Sequence, residues 1–316
     1  MRGTVKPDRT IMTPTTEPIA QSASDQTASL HAEPTIEDSV VAKDVTRYVV
    51  VEINKNKYGI STDATVELMD SGSVQITRVS HAPGYVKGVI NHRGTIIPAI
   101  DTRSLLHFKS IEAEIQELED MLAQREKEHI EWLTELKLCV ETGEPFTKAL
   151  DPNKCAFGKW YNNMLATPAL LESLTKGDSA HKAIIDQFDA PHKRIHGIAK
   201  RVLELAENDK AAKAKQLIDE ARSSDLAKLQ QLFSTLIEAV RGTNTSMMII
   251  SEHEGKKIGL IVDEVHSVFD CPDDGLDPLP DSSENAEFLK GLVHQPDGSY
   301  ILIADIEYIY EQTCPD

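Results

Sequence analysis

The first 44 residues of this 316-residue chain contain no Phe, Tyr or Trp. They are rich in Thr, Ala, Pro, Ser and acids instead. That composition buries too little apolar surface to offset the entropy of ordering, so residues 1–44 are read as a disordered tail. Basic residues are also scarce, with 33 Lys+Arg against 51 Asp+Glu and a formal net charge of −18. Without a cationic surplus there is nothing to displace phosphate counterions, so no nucleic-acid partner is expected. The same deficit argues against anionic lipid surfaces. No stretch approaches roughly 18 uncharged apolar residues, so no membrane insertion is expected. The N-terminus has no apolar signal core, and a cytoplasmic location follows as the expectation. Four cysteines (Cys139, Cys155, Cys271 and Cys314) then point to metal or redox chemistry before disulfides. A Gly-rich phosphate loop, a GxSxG elbow and HExxH are all missing, and no catalytic residues are assigned.

From Arg47 onward short β-branched and aromatic runs appear. RYVVVEI, KYGIS and SVQITRV are separated by the turn formers Asn54-Lys55-Asn56 and Ser71-Gly72-Ser73. VKGVINHRGTIIPAID adds two strand-like runs broken at Asn91 to Gly94, and Ala64 to Met69 reads as a short helix. Between about Phe108 and Thr243 the strand texture stops. Ile115, Leu118, Leu122, His129, Trp132, Leu136 and Cys139 form one helix stripe, and Thr142-Gly143-Glu144-Pro145 ends that helix. A short helix near Pro152, a third from about Ser179 to Ala206 and a fourth from about Asp209 to Val240 complete an antiparallel four-helix bundle. After Gly242 the strands return as SMMIISEH, KIGLIVDEVHSVF and SYILIADIEYIY, with Cys271 to Glu284 read as a loop. Residues 45–107 and 243–316 are each small for a domain but sufficient together. The expected architecture is therefore one discontinuous β domain, 45–107 with 243–316, interrupted by a helical bundle over 108–242.

One set of side chains in the insert stands out. His192 and His196 sit four residues apart on the apolar stripe Phe188, His192, His196, Ala199 and Leu203. His129 lies on the stripe of the first helix. Cys155 follows the N-capping pair Asp151-Pro152, in the first turn of the short helix, whose dipole favours a thiolate. Three inward His and one Cys are the donor set of a closed tetrahedral Zn2+ site. Spacing alone leaves open that these imidazoles are hydrogen-bonded core residues. His181 lies apart from the His192/His196 face and is read as a surface residue. Cys139 is read as core packing, and no partner is legible for Cys271 or Cys314.

CAFGKWYNNM, with APHKRIHGIA after it and EHIEWL before it, resembles the chemoreceptor zinc-binding (CZB) domain. That resemblance implies zinc on His129, Cys155, His192 and His196. KYGI, APGYVKGVINHRGTIIPAIDTR, IGLIVDEVHSV and FLKGLVHQPDGSYILIADIE resemble CheW, the chemotaxis coupling protein. The implied fold is α+β, two SH3-like five-stranded barrels interrupted by the helical insert. His92 and Thr102 stand where the family usually shows the leucines of NLRG and DLR. The resemblance implies partner contacts through Arg93 and, from a preceding helix, Glu67; Thr65 holds a neighbouring position that is often apolar. The implied partners are a CheA-type histidine kinase and methyl-accepting chemoreceptors, with a homodimer as one assembly such bundles form. The implied function is a non-enzymatic adaptor whose zinc site senses oxidants, through Cys155, or zinc itself. The alternatives are a scaffold with a structural zinc in another two-component pathway, and a zinc hydrolase. Against the hydrolase stand four ligands that close the site and the lack of a carboxylate spaced beside the His pair, Glu131 being near only His129 in sequence.

Overall fold

The structure, a computed structural model, describes residues 45–280, 283 and 285–314. The tail read over 1–44 lies outside them.

The chain opens with β1 (Val45–Ile53) and β2 (Asn56–Ser61), joined by Asn54 and Lys55, both at positive φ. Two consecutive positive φ values give the turn whose twist suits a two-residue hairpin. β3 (Thr65–Asp70) follows a short 3-10 turn. The helix expected over Ala64 to Met69 is thus a strand. TVELMD alternates in burial with period two, and pairing with a later strand overrides the helix propensity of Glu67, Leu68 and Met69. SVQITRV forms no strand either. Only Thr77 pairs, with Val89. This crossing is close because residue 88 is glycine: a Cβ there would meet the Thr77 carbonyl oxygen at 2.3 Å. β4 (Val86–His92) and β5 (Thr95–Asp101) turn at Arg93-Gly94, again both at positive φ, and α1 (Thr102–Leu105) closes this half.

The insert departs from four helices. It contains α2 (Ile111–Thr142), α3 (Ala156–Ala166), α4 (Pro168–Thr175), α5 (Ser179–Asp186), α6 (Asp189–Glu207), α7 (Ala211–Ala221) and α8 (Ala227–Thr243). The helix expected over Ser179 to Ala206 breaks around Phe188. Pro191 lacks an N–H and its ring collides with the carbonyl four residues back, so α6 begins anew with Pro191 in its first turn. The helix expected over Asp209 to Val240 is continuous except for a π turn, Arg222–Leu226, between α7 and α8. α2 ends at Gly143, the left-handed cap expected there.

Beyond the insert run β6 (Met247–His253), β7 (Lys256–Val262), β8 (Glu264–Pro272), β9 (Leu289–His294), β10 (Tyr300–Ala304) and α9 (Ile306–Thr313). β8 carries Cys271 as a buried strand residue opposite Thr46, not in a loop. SYILIADIEYIY is a strand only as far as Ala304. Asp305 then caps a helix by accepting the Tyr308 N–H.

The described strands form two five-stranded mixed sheets, ordered β8-β1-β2-β10-β9 and β3-β6-β7-β5-β4. Each sheet uses strands from both sides of the insert, with β10 parallel to β2 and β5 parallel to β7. The two ends of the chain therefore build one shared core, in which Val49, Val51, Ile100, Ile249, Leu260 and Ile309 pack together. The insert has its own core, centred on Leu133, Leu136, Phe157, Ile195, Ile218 and Leu236. Arg103 joins the two parts. It is buried on α1, donates through Nε and Nη2 to Asp263, and through Nη1 to Glu114 in the first turn of α2. Among the described residues no helix is long and apolar enough to cross a membrane.

Candidate metal centre

His129 lies in the middle of α2, facing the insert core; Cys155 precedes α3; His192 and His196 lie one turn apart on α6. One donor atom from each of the four lies within 4.8 Å of every other. The His129 ring is centred 5.2 Å from that of His192 and 5.5 Å from that of His196.

Cys155 is the N-cap of α3, one step earlier than the expected first turn. Asp151 caps a separate 3-10 turn, Pro152–Lys154. The Gly158 N–H donates to Cys155 Sγ at 3.2 Å, and Sγ lies 3.1 Å from His192 Nε2. Gly158 is required for this cap. A Cβ there would stand 1.9 Å from the Pro152 carbonyl oxygen, so the chain can double back before α3 only over a glycine. Nearby, Trp132 donates Nε1–H to the Ala149 carbonyl and packs on Phe146, pinning the loop after α2 over the site.

The electrostatics of the cluster suit a cation. His129 Nδ1 pairs with the Arg125 carbonyl at 2.7 Å, which leaves Nε2 pointing inward. His129 Nε2 and both ring nitrogens of His196 are buried without a hydrogen-bond partner. Unpartnered buried polar atoms are costly, so three together need an explanation. Burial pushes His192 down to about 3 and His196 to about 4, and lowers His129 as well, so all three rings keep their lone pairs at neutral pH. Burial also raises the Cys155 thiol above its ordinary value, against the pull of the Gly158 and Phe157 N–H groups. A thiolate here therefore calls for a positive charge beside it. Three neutral imidazoles and one thiolate are donors Zn2+ takes, and these residues fit that ion. A pocket of about 190 Å³, lined by Glu128, Glu131, Lys148, Cys155 and His196 among others, reaches the site.

His181 is buried, not a surface residue: its Nδ1 pairs with the Thr175 carbonyl at 3.1 Å because the turn after α4 folds back over α5. It takes no part in the four-residue group. Cys139 is buried on α2.

Glu67 and Arg93 meet at the second sheet. Arg93 Nη2 donates to Glu67 Oε2 at 2.7 Å, with Glu67 on β3 and not on a helix. His92 Nε2 reaches the same oxygen at 2.9 Å. The His92 hydrogen bond first, and Arg93 beside it, hold the Glu67 carboxyl below its usual range. His92 thus joins the Glu67–Arg93 pair as its buried third member. Its signal was the alternation Gly88, Ile90, His92, which turns it inward with the core side chains of β4.

The family model of the CheW-like domain matches residues 47–127 and 224–314, more than half of the chain. The chain belongs to the CheW-like domain family. Between the two matched pieces of this CheW-like domain, the model of the chemoreceptor zinc-binding domain matches residues 129–203, which include the four clustered side chains. Chemotaxis protein CheW of Klebsiella aerogenes is 36% identical over 56 residues, 18% of this chain and 32% of that protein. The chain thus spans about a third of the length of this curated relative. The crystal structure of scaffolding protein TtCheW from Thermoanaerobacter tengcongensis aligns with a TM-score of 0.39 at 16% identity, covering 85% of this chain and 94% of that one.

Proposed function

We propose that this CheW-like protein is a cytoplasmic chemotaxis adaptor. Its β domain, 45–107 with 243–316, couples methyl-accepting chemoreceptors to a CheA-type histidine kinase, with Glu67 and Arg93 at the partner surface. Its insert, 108–242, holds one zinc ion on His129, Cys155, His192 and His196. The observation that carries this reading is the convergence of three buried imidazoles and a thiol, three of whose ring nitrogens have no partner. When bound, zinc supplies the positive charge that makes a buried thiolate tolerable.

Cys155 is the redox-responsive ligand. Its N-cap position presents Sγ to the dipole of α3, and the pocket beside it gives solvent oxidants a route. Hypochlorite oxidises the thiolate by oxygen transfer, RS⁻ + OCl⁻ → RSO⁻ + Cl⁻. The sulfenate is a poorer ligand, and losing it frees the start of α3 from α6. A hypochlorite titration of purified protein tests this, reading zinc release with a chromophoric chelator alongside kinase activation in the presence of receptors. Wild type should release zinc and change its coupling at the same dose, and Cys155→Ser should do neither. If Cys155→Ser responds like wild type, oxidation acts elsewhere. The dense aromatic packing of Phe157 on His192 and Phe233 favours a second reading, a zinc that only secures the fold, in which zinc release leaves coupling unchanged until the insert unfolds.

A further inference from the structure

The long helix that returns the chain from the insert to the β domain is not regular. Between α7 and α8 it widens into the π turn Arg222–Leu226. Such turns hold an extra residue at a cost in backbone hydrogen bonding, and they concentrate at functional sites. Here two neighbouring serines support it. Ser223 Oγ donates to the Asp219 carbonyl at 2.9 Å, and Ser224 Oγ donates to the Glu220 carbonyl at 2.6 Å. Such bonds from a Ser hydroxyl to the carbonyl four residues back bend a helix and so suit a widened turn.

The turn grips both helices that carry the clustered histidines. From one side, Arg222 Nη2 donates to Thr134 Oγ1 on α2, five residues after His129. From the other, Asp225 accepts from Arg194 Nε at 2.7 Å, and Arg194 sits on α6 between His192 and His196. Leu226, at the end of the turn, is buried in the insert core. Downstream, α8 runs into β6 after three residues. β6 pairs with β3, where Ile250 stands opposite Glu67. One continuous piece of backbone therefore links the helices of the His3Cys group to the strand that bears the Glu67–Arg93 pair.

We propose that the π turn is a two-state joint, with Arg222 and Asp225 as positioning residues of the His3Cys site. While the four ligands hold α2 and α6 together, both grips are satisfied and the wide turn persists. When the ligands separate, the grips slacken and the wide turn, short of regular helical hydrogen bonds, opens locally. That opening loosens the start of α8 and, through the short link after Thr243, reaches β6. The inference rests on the zinc reading above.

Hydrogen exchange followed by mass spectrometry on the full chain tests it, comparing zinc-loaded protein with protein stripped by chelator and using zinc alone as the ligand. Stripping should raise exchange across residues 219–228 about tenfold, within the range of site-to-site couplings, and raise it less across Met247–His253. The β1–β2 hairpin should be unchanged. In Ser223→Ala/Ser224→Ala, which removes both hydroxyl back-bonds of the turn, zinc content should stay at one per chain while exchange in β6 no longer responds to zinc. Asp225→Asn should weaken zinc binding several-fold, and Asp225→Glu should restore it. One zinc per chain with zinc-independent exchange over 219–228 overturns the joint and leaves the site standing. Equal rises in the insert and in the β1–β2 hairpin report global loosening, and they also overturn it. No zinc in wild type overturns the site reading, and the joint falls with it.

Discussion

Replacing Gly158 with alanine sets two physical effects against each other at the cap of α3. Helix propensity favours the substitution by about 0.8 to 1 kcal/mol, because alanine loses less conformational freedom than glycine. Sterics oppose it. The new Cβ would lie 1.9 Å from the Pro152 carbonyl oxygen and 3.0 Å from its carbon, both backbone atoms that cannot rotate away. Overpacking of this kind costs about 1–3 kcal/mol, and an unyielding backbone neighbour puts the cost at the upper end. The clash should win by about 1–2 kcal/mol. Relief requires the Pro152–Lys154 turn to retreat from α3, and Cys155 is the residue between them. The cap bond from Gly158 N–H to Sγ then lengthens and the sulfur leaves its place beside His192. Lost second-sphere support of a metal ligand lowers affinity about 10–100-fold. Competition against a chromophoric chelator measures that drop, and thermal melts with and without zinc separate it from simple unfolding. A Gly158→Ala protein that melts at or above wild type and binds zinc equally well would refute the reasoning about this turn.

Arg103→Ala should destabilise the protein by about 3 kcal/mol or more in urea titrations, because it strands the buried Asp263 carboxylate and frees Glu114 from the β domain. Chelator-stripped protein should lose stability on acidification. Unfolded histidines titrate near 6.5, whereas His192 and His196 titrate at about 3 and about 4 in the fold. The unfolded chain therefore binds more protons between about pH 4 and 6.5, and stability falls as pH drops through that window. Urea midpoints at pH 7.5 and 5.0 check this, and equal midpoints would contradict it. Glu67→Gln removes the charge shared by Arg93 and His92 while keeping an acceptor oxygen; it should leave the melting temperature nearly unchanged and weaken pull-down of the kinase or receptor.

Strands such as RYVVVEI and SMMIISEH were legible because β-branched runs bounded by turn formers have few other readings. TVELMD was not legible, because its residues suit a helix in isolation and only its pairing with β6 decides. The break before α6 was written in Pro191 but was masked by the strong stripe running through it. The π turn left only a pair of serines, which alone signify little. Within the site, the His192/His196 pair was visible from its spacing. That His129 and Cys155 approach it depends on tertiary packing, to which only the helix faces and the family resemblance point. The need for Gly158 and the burial of His181 both arise from chain reversals, which no periodicity encodes.

Metal analysis of the purified chain by mass spectrometry, for wild type and for His129→Ala, Cys155→Ser, His192→Ala and His196→Ala, tests the His3Cys zinc site most directly. The expected result is one zinc per wild-type chain, with content or affinity reduced in each single variant while the β domain stays folded. A wild-type chain without zinc, or four variants that retain it undiminished, would contradict the assignment.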